Sequence, residues 1–250
     1  MTIPQGRRAS REVLPATVDV QPDAAALAAA TARTIESRLA AVQAAGSTPR
    51  VLLTGGSIAM AAYRELDADA VDWPNIEFWF GDERFVGIDL PDRNDGQARD
   101  AFLDRVGATR VHSLADNDCS LSAADAARAY AATLPAEPFD LTLLGVGPDG
   151  HIASLFPGFP QLRENDALTA AVFDSPKPPP VRVTLTLPAL NNSDAVWFIV
   201  AGEDKADAVA RALADEGSVD ETPARGVQGI KETIWLLDQP AASPLGDQAE

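Results

Sequence analysis

Short apolar runs alternate along this chain with longer segments whose apolar positions recur at helical spacing. Residues 23–45 are alanine-rich, carry Leu27, Ile35, Leu39 and Val42 at that spacing, and stop at Gly46, a C-cap residue. Residues 51–54 form a short buried-type strand and 57–66 a helix. Residues 76–80, aromatic and β-branched, predict a strand, and 94–106 a helix. A further helix is predicted over 122–134, where Ser122 and Asp125 have the capping-box pattern. Residues 139–146 predict a strand and 168–174 an extended segment. In 181–187, Val181, Val183, Leu185 and Leu187 alternate with Arg182, Thr184 and Thr186, the pattern of a half-buried strand. A buried strand at 195–200, an amphipathic helix at 203–216 and a strand at 233–237 complete the series. This alternation predicts an α/β fold: a three-layer, doubly wound, mostly parallel sheet with helices on both faces. There is no internal repeat and no composition break, so residues 1–250 are expected to form one domain with a frayed tail over 241–250.

Composition narrows the class of partner. The formal net charge of −17 over 250 residues disfavours nucleic acid and anionic membranes, which would repel such a chain. A small anionic ligand is not excluded, because local cations can outweigh the overall field. Cys119 is the single cysteine, so no intrachain disulfide forms; it is read as inert, and no spacing suggests a metal site. Residues 1–11 have no apolar core after their basic residues, and no stretch reaches the ~18 apolar residues of a membrane helix. The chain is therefore expected to be cytoplasmic, and to act as a monomer or a weak homodimer.

Open parallel sheets bind ligands beyond the carboxyl ends of their strands. Four unusual loops each follow a predicted strand, which would set them on one rim. Gly55, Gly56 and Ser57 precede a helix, whose free N–H groups favour an anion that glycine lets come close. Asp82, Glu83 and Arg84 crowd two acids and a cation at a strand end; the arginine can grip an oxyanion bidentately and an acid can orient a histidine. Gly147, Asp149 and Gly150 lead to His151, one of two histidines, at what reads as the start of a helix. Histidine is the side-chain type whose unperturbed pKa lies nearest neutrality, which suits proton transfer. Lys177 and Arg182 bracket a stiff proline run and make an anion clamp, with Arg225 and Lys231 as weaker candidates. Asp149 reads equally as a cap or as a ligand-positioning acid. His112 is taken as structural or solvated, and Ser154 as capping or packing on the same helical face as His151. No HExxH, GxSxG or paired His–Cys pattern occurs.

Residues 53–57, 81–86, 145–158, 175–186 and 234–238, in that order and spacing, resemble the glucosamine-6-phosphate isomerase/6-phosphogluconolactonase family over roughly 51–237. The stretch from Gly145 to Gly158, with His151 inside it, is the most specific. Arg93 before Asn94, Ile152, and Arg225 to Val227 depart from the family pattern, and the first of them leaves the exact lining of the sugar site open. The resemblance implies a fold related to glucosamine-6-phosphate deaminase and ribose-5-phosphate isomerase. It implies hydrolysis of 6-phosphoglucono-1,5-lactone to 6-phosphogluconate without metal, nucleotide or other cofactor, on a pathway that oxidises sugar phosphates. His151 would carry the proton, with Asp82 or Glu83 fixing its ring or a sugar hydroxyl. Arg84 or the glycine-turn N–H groups would stabilise the oxyanion. Lys177, Arg182 and the turn Gly55, Gly56, Ser57 would hold the 6-phosphate, and Glu83, Asn94, Gly147, Asp149 and Gly150 would complete the substrate contacts. The competing expectations are a related enzyme that opens an amino-sugar phosphate with release of ammonia, and a sugar-phosphate sensor without catalysis.

Overall fold

Ten strands supply the frame, in a computed structural model that describes residues 15–115 and 121–248. They are β1 (Thr17–Gln21), β2 (Arg50–Leu53), β3 (Glu77–Phe80), β4 (Asp82–Arg84), β5 (Arg110–Val111), β6 (Leu141–Leu144), β7 (Thr169–Val172), β8 (Arg182–Leu185), β9 (Ala195–Val200) and β10 (Glu232–Asp238). Seven form one sheet in the order β1-β10-β9-β6-β2-β3-β5, with every neighbouring pair parallel. The helices are α1 (Ala24–Ala44), α2 (Ser57–Glu65), α3 (Asn94–Ala98), α4 (Ala123–Ala131), α5 (Leu187–Leu190), α6 (Ala206–Leu213) and α7 (Gln239–Ala242). Past α3 the chain widens into a π-helix, Arg99–Leu103. Cys119 and residues 1–11 lie outside the described residues.

The period of two along each strand divides the core. Val51, Leu53, Phe78, Phe80, Leu141, Leu143, Trp197 and Ile199 pack with Leu27, Ile35 and Leu39 of α1 and with Met60 and Tyr63 of α2. Leu52, Trp79, Leu144, Val196, Phe198, Trp235 and Leu237 point the other way, toward Tyr130 of α4 and Val209 of α6. Burial on both faces is why these strands read as continuous apolar runs. The Asp23 carboxylate caps α1 by accepting from Ala26 N at 2.8 Å, and Gly46, at φ +80°, ends it in the left-handed conformation.

Four expectations need correction. The edge strand β1 is not foreseen. A second, antiparallel sheet, β4-β8-β7, stands beside the first. Its central strand β8 is buried at every position, Arg182 and Thr184 included, because β4 and β7 flank it. Gly81 is the joint between the sheets: its N–H donates to Leu53 O at 2.9 Å and its carbonyl accepts from Leu185 N at 2.8 Å. The tail is anchored rather than frayed as far as α7, where Asp238 caps Ala241 N at 2.9 Å and Ala241 is fully buried.

Two buried tyrosines finish the carboxyl ends of adjacent strands. The Tyr63 hydroxyl accepts from Thr54 N at 3.2 Å and donates to Thr54 O at 3.1 Å. The Tyr130 hydroxyl accepts from Phe80 N at 2.7 Å and donates to Phe80 O at 3.1 Å. Burial pushes both phenols up, so they stay neutral donor-acceptors. Removing either hydroxyl strands two buried backbone groups. Tyr63→Phe and Tyr130→Phe are expected to lower unfolding free energy by about 1–3 kcal/mol each in urea titration. Parent-like midpoints would mean that the strand ends are satisfied in another way.

Candidate active site

Where β2, β6 and β9 end, the chain leaves a cavity of about 290 Å³. Segment 54–58, Asp82, Arg84, Asn94, segment 145–147, His151, Ala153, Lys177, Pro178, Arg182, segment 199–201 and Lys205 line it. Of the residues singled out in the sequence, Gly55, Gly56, Ser57, Asp82, Arg84, Asn94, Gly147, His151, Lys177 and Arg182 meet here; Asp82 and Arg84 come from β4, Arg182 from β8 and Lys177 from the loop between β7 and β8, all in the second sheet. Glu83, Asp149 and Gly150, expected to touch a substrate, do not line the cavity.

His151 does not begin a helix. Gly150 takes φ +89°, Gly147 N–H donates to His151 O at 2.9 Å, and the chain runs on into a turn bridged by Ile152 and Leu155. That turn folds the imidazole back over Gly147, where a Cβ would lie 2.0 Å from the ring Cε1. Glycine is required there by the imidazole. Gly150 is held outside the cavity, against Thr222 and with its carbonyl accepting from Ala224 N.

The Asp149 carboxylate hydrogen-bonds Nδ1 of His151, and the Phe156 ring packs 4.7 Å from the imidazole. Partial burial pushes the Asp149 carboxyl up, but the hydrogen bond and charge of His151 outweigh it and hold it down at about 2. An ionised Asp149 puts the proton on Nδ1 and the lone pair on Nε2. Nε2 has no partner among the described residues.

Neither Asp82 nor Glu83 orients His151. Asp82 Oδ2 accepts from Ser154 Oγ at 2.5 Å, and Asn94 Nδ2 donates to Asp82 O at 2.8 Å. Ser154 therefore ties the His151 turn to β4 and lies on no helical face. Strand alternation turns Glu83 away from the cavity, and its carboxylate accepts from the N–H groups of Arg84, Asn94 and Asp95. Asn94 in turn explains Gly55, because a Cβ at Gly55 would sit 2.2 Å from Asn94 Oδ1.

The cations divide into two kinds. Arg182 is buried and largely committed: it donates to the carbonyls of Lys177, Pro178 and Pro179 and stands 3.7 Å from Asp82. It shapes the proline loop more than it offers a free clamp. Arg84 donates one Nη to Asp92 O. Lys177 has no ion-pair partner among the described residues, and partial burial pulls its ammonium below the usual range. Lys205, missed from sequence, also lines the cavity; its signal was a fifth loop, after β9. The first helical bond of α2 runs from Met60 N to Gly56 O, so the N–H groups of Ser57, Ile58 and Ala59 precede it, and Ser57 and Ile58 line the cavity.

The remaining candidates lie elsewhere. Arg225 donates to the carbonyls of Arg211 and Ala214, and Lys231 pairs with Asp194 at 2.7 Å. His112 stacks on Trp79 at 4.2 Å, and burial holds its imidazole down. Among the described residues no cluster of His, Cys, Asp and Glu is arranged for a metal ion, and no helix is long and apolar enough to cross a membrane.

The family described as glucosamine-6-phosphate isomerases/6-phosphogluconolactonase matches residues 22–235. A 6-phosphogluconolactonase of Mycobacterium tuberculosis is 42% identical over 245 residues, covering 92% of this chain and 98% of that one. The solved 6-phosphogluconolactonase of Trypanosoma brucei superposes with a TM-score of 0.81 at 28% identity, over 94% of this chain and 100% of that one. A monomeric glucosamine-6-phosphate deaminase shares the fold, with a TM-score of 0.75 at 22% identity over 91% of this chain and 99% of that one.

The depressed Asp149 carboxyl carries a pH signature. Its stabilisation is complete above the ordinary carboxylate value of 3.8 and is lost as pH falls toward about 2. Discounted for solvent screening, it amounts to about 1 kcal/mol. Parent and Asp149→Asn are expected to differ by that amount in unfolding free energy at pH 5, with the gap closing toward pH 2. A gap that stayed constant with pH would remove the charged pair from the account.

Proposed function

The chain belongs to the glucosamine-6-phosphate isomerase/6-phosphogluconolactonase family, and we propose that it hydrolyses 6-phosphoglucono-1,5-lactone to 6-phosphogluconate, with His151 as the proton carrier. The observation that carries this reading is the Asp149–His151 pair, which leaves Nε2 unpartnered at a cavity that also holds Arg84, Lys177 and Lys205.

A lactone is an ester, so a water molecule relieved of a proton suffices as nucleophile. His151 Nε2 takes the proton as the water oxygen bonds to the carbonyl carbon. Such general-base help is worth about 10²–10⁴-fold. The carbonyl oxygen gains negative charge, which Arg84 stabilises in this reading; one good donor contributes about 3–4 kcal/mol. When the tetrahedral intermediate collapses, the bond from the carbonyl carbon to the ring oxygen breaks. That oxygen takes the proton back from His151 and leaves as a hydroxyl, while the new carboxylic acid ionises to solvent.

Lys177, Lys205 and the N-terminus of α2 are the groups suited to the remote phosphate. Arg182 is less suited, because carbonyl oxygens of the proline loop already occupy it. Binding energy from the phosphate then orients the lactone over His151.

His151→Ala is expected to lose at least ~10²-fold in lactone hydrolysis while keeping the parent unfolding transition. An unimpaired variant would remove His151 from the chemistry. Ammonia released from glucosamine 6-phosphate, with no lactone hydrolysis, would move the chain to the other branch of its family. Lys177→Ala combined with Lys205→Ala is expected to raise KM at least ~10-fold for the phosphorylated lactone and to leave the unphosphorylated lactone unchanged. Equal weakening of both substrates would contradict the phosphate assignment.

A further inference from the structure

Behind the cavity wall lies a buried charged cluster that the proposed chemistry does not use. Arg93 is fully buried, and Glu83 and Asp95 are 2% and 3% exposed. Arg93 Nε and Nη2 fork onto the two oxygens of Asp95 at 2.9 and 2.8 Å. Nη2 also donates to Leu114 O at 2.8 Å, and Nη1 reaches Val86 O at 3.4 Å. One side chain thus joins α3, the loop after β4 and the segment after β5.

The cluster and the cavity share a backbone. Residues 82–84 and 93–95 alternate between the two sides of one wall: Asp82, Arg84 and Asn94 line the cavity, while Glu83, Arg93 and Asp95 are packed behind it. Glu83 Oε1 accepts from Arg84 N at 2.8 Å and from Asn94 N at 2.7 Å, and Oε2 accepts from Asp95 N at 2.9 Å. Arg93 Nη2 stands 4.0 Å from Glu83 Oε2. Burial, with Asp95 beside it, pushes the Glu83 carboxyl up to about 7, while its N–H donors and Arg93 pull it down. It holds three N–H groups best as a carboxylate, which a nearby cation and restraint of the next acid favour. Arg93 supplies both, since its fork restrains Asp95.

We propose that Arg93 is a positioning residue: by clamping Asp95 beside Glu83 it fixes the backbone that aims Arg84 and Asn94 into the cavity. The proposal rests on the lactonase reading for its catalytic consequence and on the hydrogen bonds alone for its structural one. Arg84 is assigned to charge that develops in the transition state, so misplacing it lowers kcat more than it raises KM. A lysine keeps the charge but cannot form the planar fork.

The test compares the full-length parent with Arg93→Lys and Asp95→Asn, by lactone kinetics and by amide hydrogen exchange resolved at Arg84, Asn94 and Asp95. The expected result is a ~10-fold fall in kcat with KM within ~2-fold, together with faster exchange at those three amides in native protein. Parent-like kcat and exchange in either folded variant would overturn the proposal. So would failure of both variants to fold, which would assign Arg93 to fold stability instead. A parent without lactonase activity would overturn the functional reading, and the exchange comparison would then decide the positioning role by itself.

Discussion

Backbone groups at the carboxyl edge of a parallel sheet run out of ladder partners, and in this protein that edge is the floor of the cavity. The structure depends on how those groups are satisfied without being covered over. Tyr63 completes the end of β2 from α2, and Tyr130 completes the end of β3 from α4. Glu83 takes the N–H groups of Arg84, Asn94 and Asp95 from behind. Gly147 gives its N–H to His151 O and so bends the loop after β6 back on itself. The two tyrosines and Glu83 do this from positions that do not line the cavity, which leaves the front open for a ligand.

The same economy explains the electrostatics. A chain of net charge −17 repels anions at long range, yet Arg84, Lys177, Lys205 and Arg182 all line one cavity. Within a Debye length of about 8 Å at physiological salt, these local charges govern. The acids that accompany them each have partners: Asp82 with Ser154 and Arg182, Asp149 with His151, and Asp204 with Lys205. What faces a ligand is four cations, one imidazole and the Asp82 carboxylate, which Ser154 and Arg182 already engage.

Much of this was legible in the sequence because strand ends and loop chemistry are local. Gly55, Gly56 and Ser57, Arg84 and His151 each follow an apolar run read as a buried strand, and Lys177 follows a segment read as extended. What stayed hidden depends on tertiary partners. β4 is three charged residues, and only the pairing with β8 makes it a strand. Glu83 and Asp82 look alike in sequence, but the alternation of β4 sends one behind the wall and the other into the cavity. The helix predicted at His151 fails because the left-handed Gly150 and the bond from Gly147 to His151 O close a tighter loop first. Lys205 escaped notice because its loop carries no glycine pair or proline run beside the cation. β1 escaped because its alternation, Val18 and Val20 around Asp19, covers only an edge.

The central claim is that Asp149 fixes the proton on Nδ1 and leaves the Nε2 lone pair facing the cavity. Nitrogen-15 NMR of the imidazole rings tests it directly, since the chain has two histidines and His112→Gln leaves the spectrum of His151 alone. For the neutral ring the account predicts a protonated Nδ1 and a bare Nε2, a preference lost in Asp149→Asn. A neutral ring protonated at Nε2 would contradict it, because that nitrogen would then have no lone pair with which to take a proton from water.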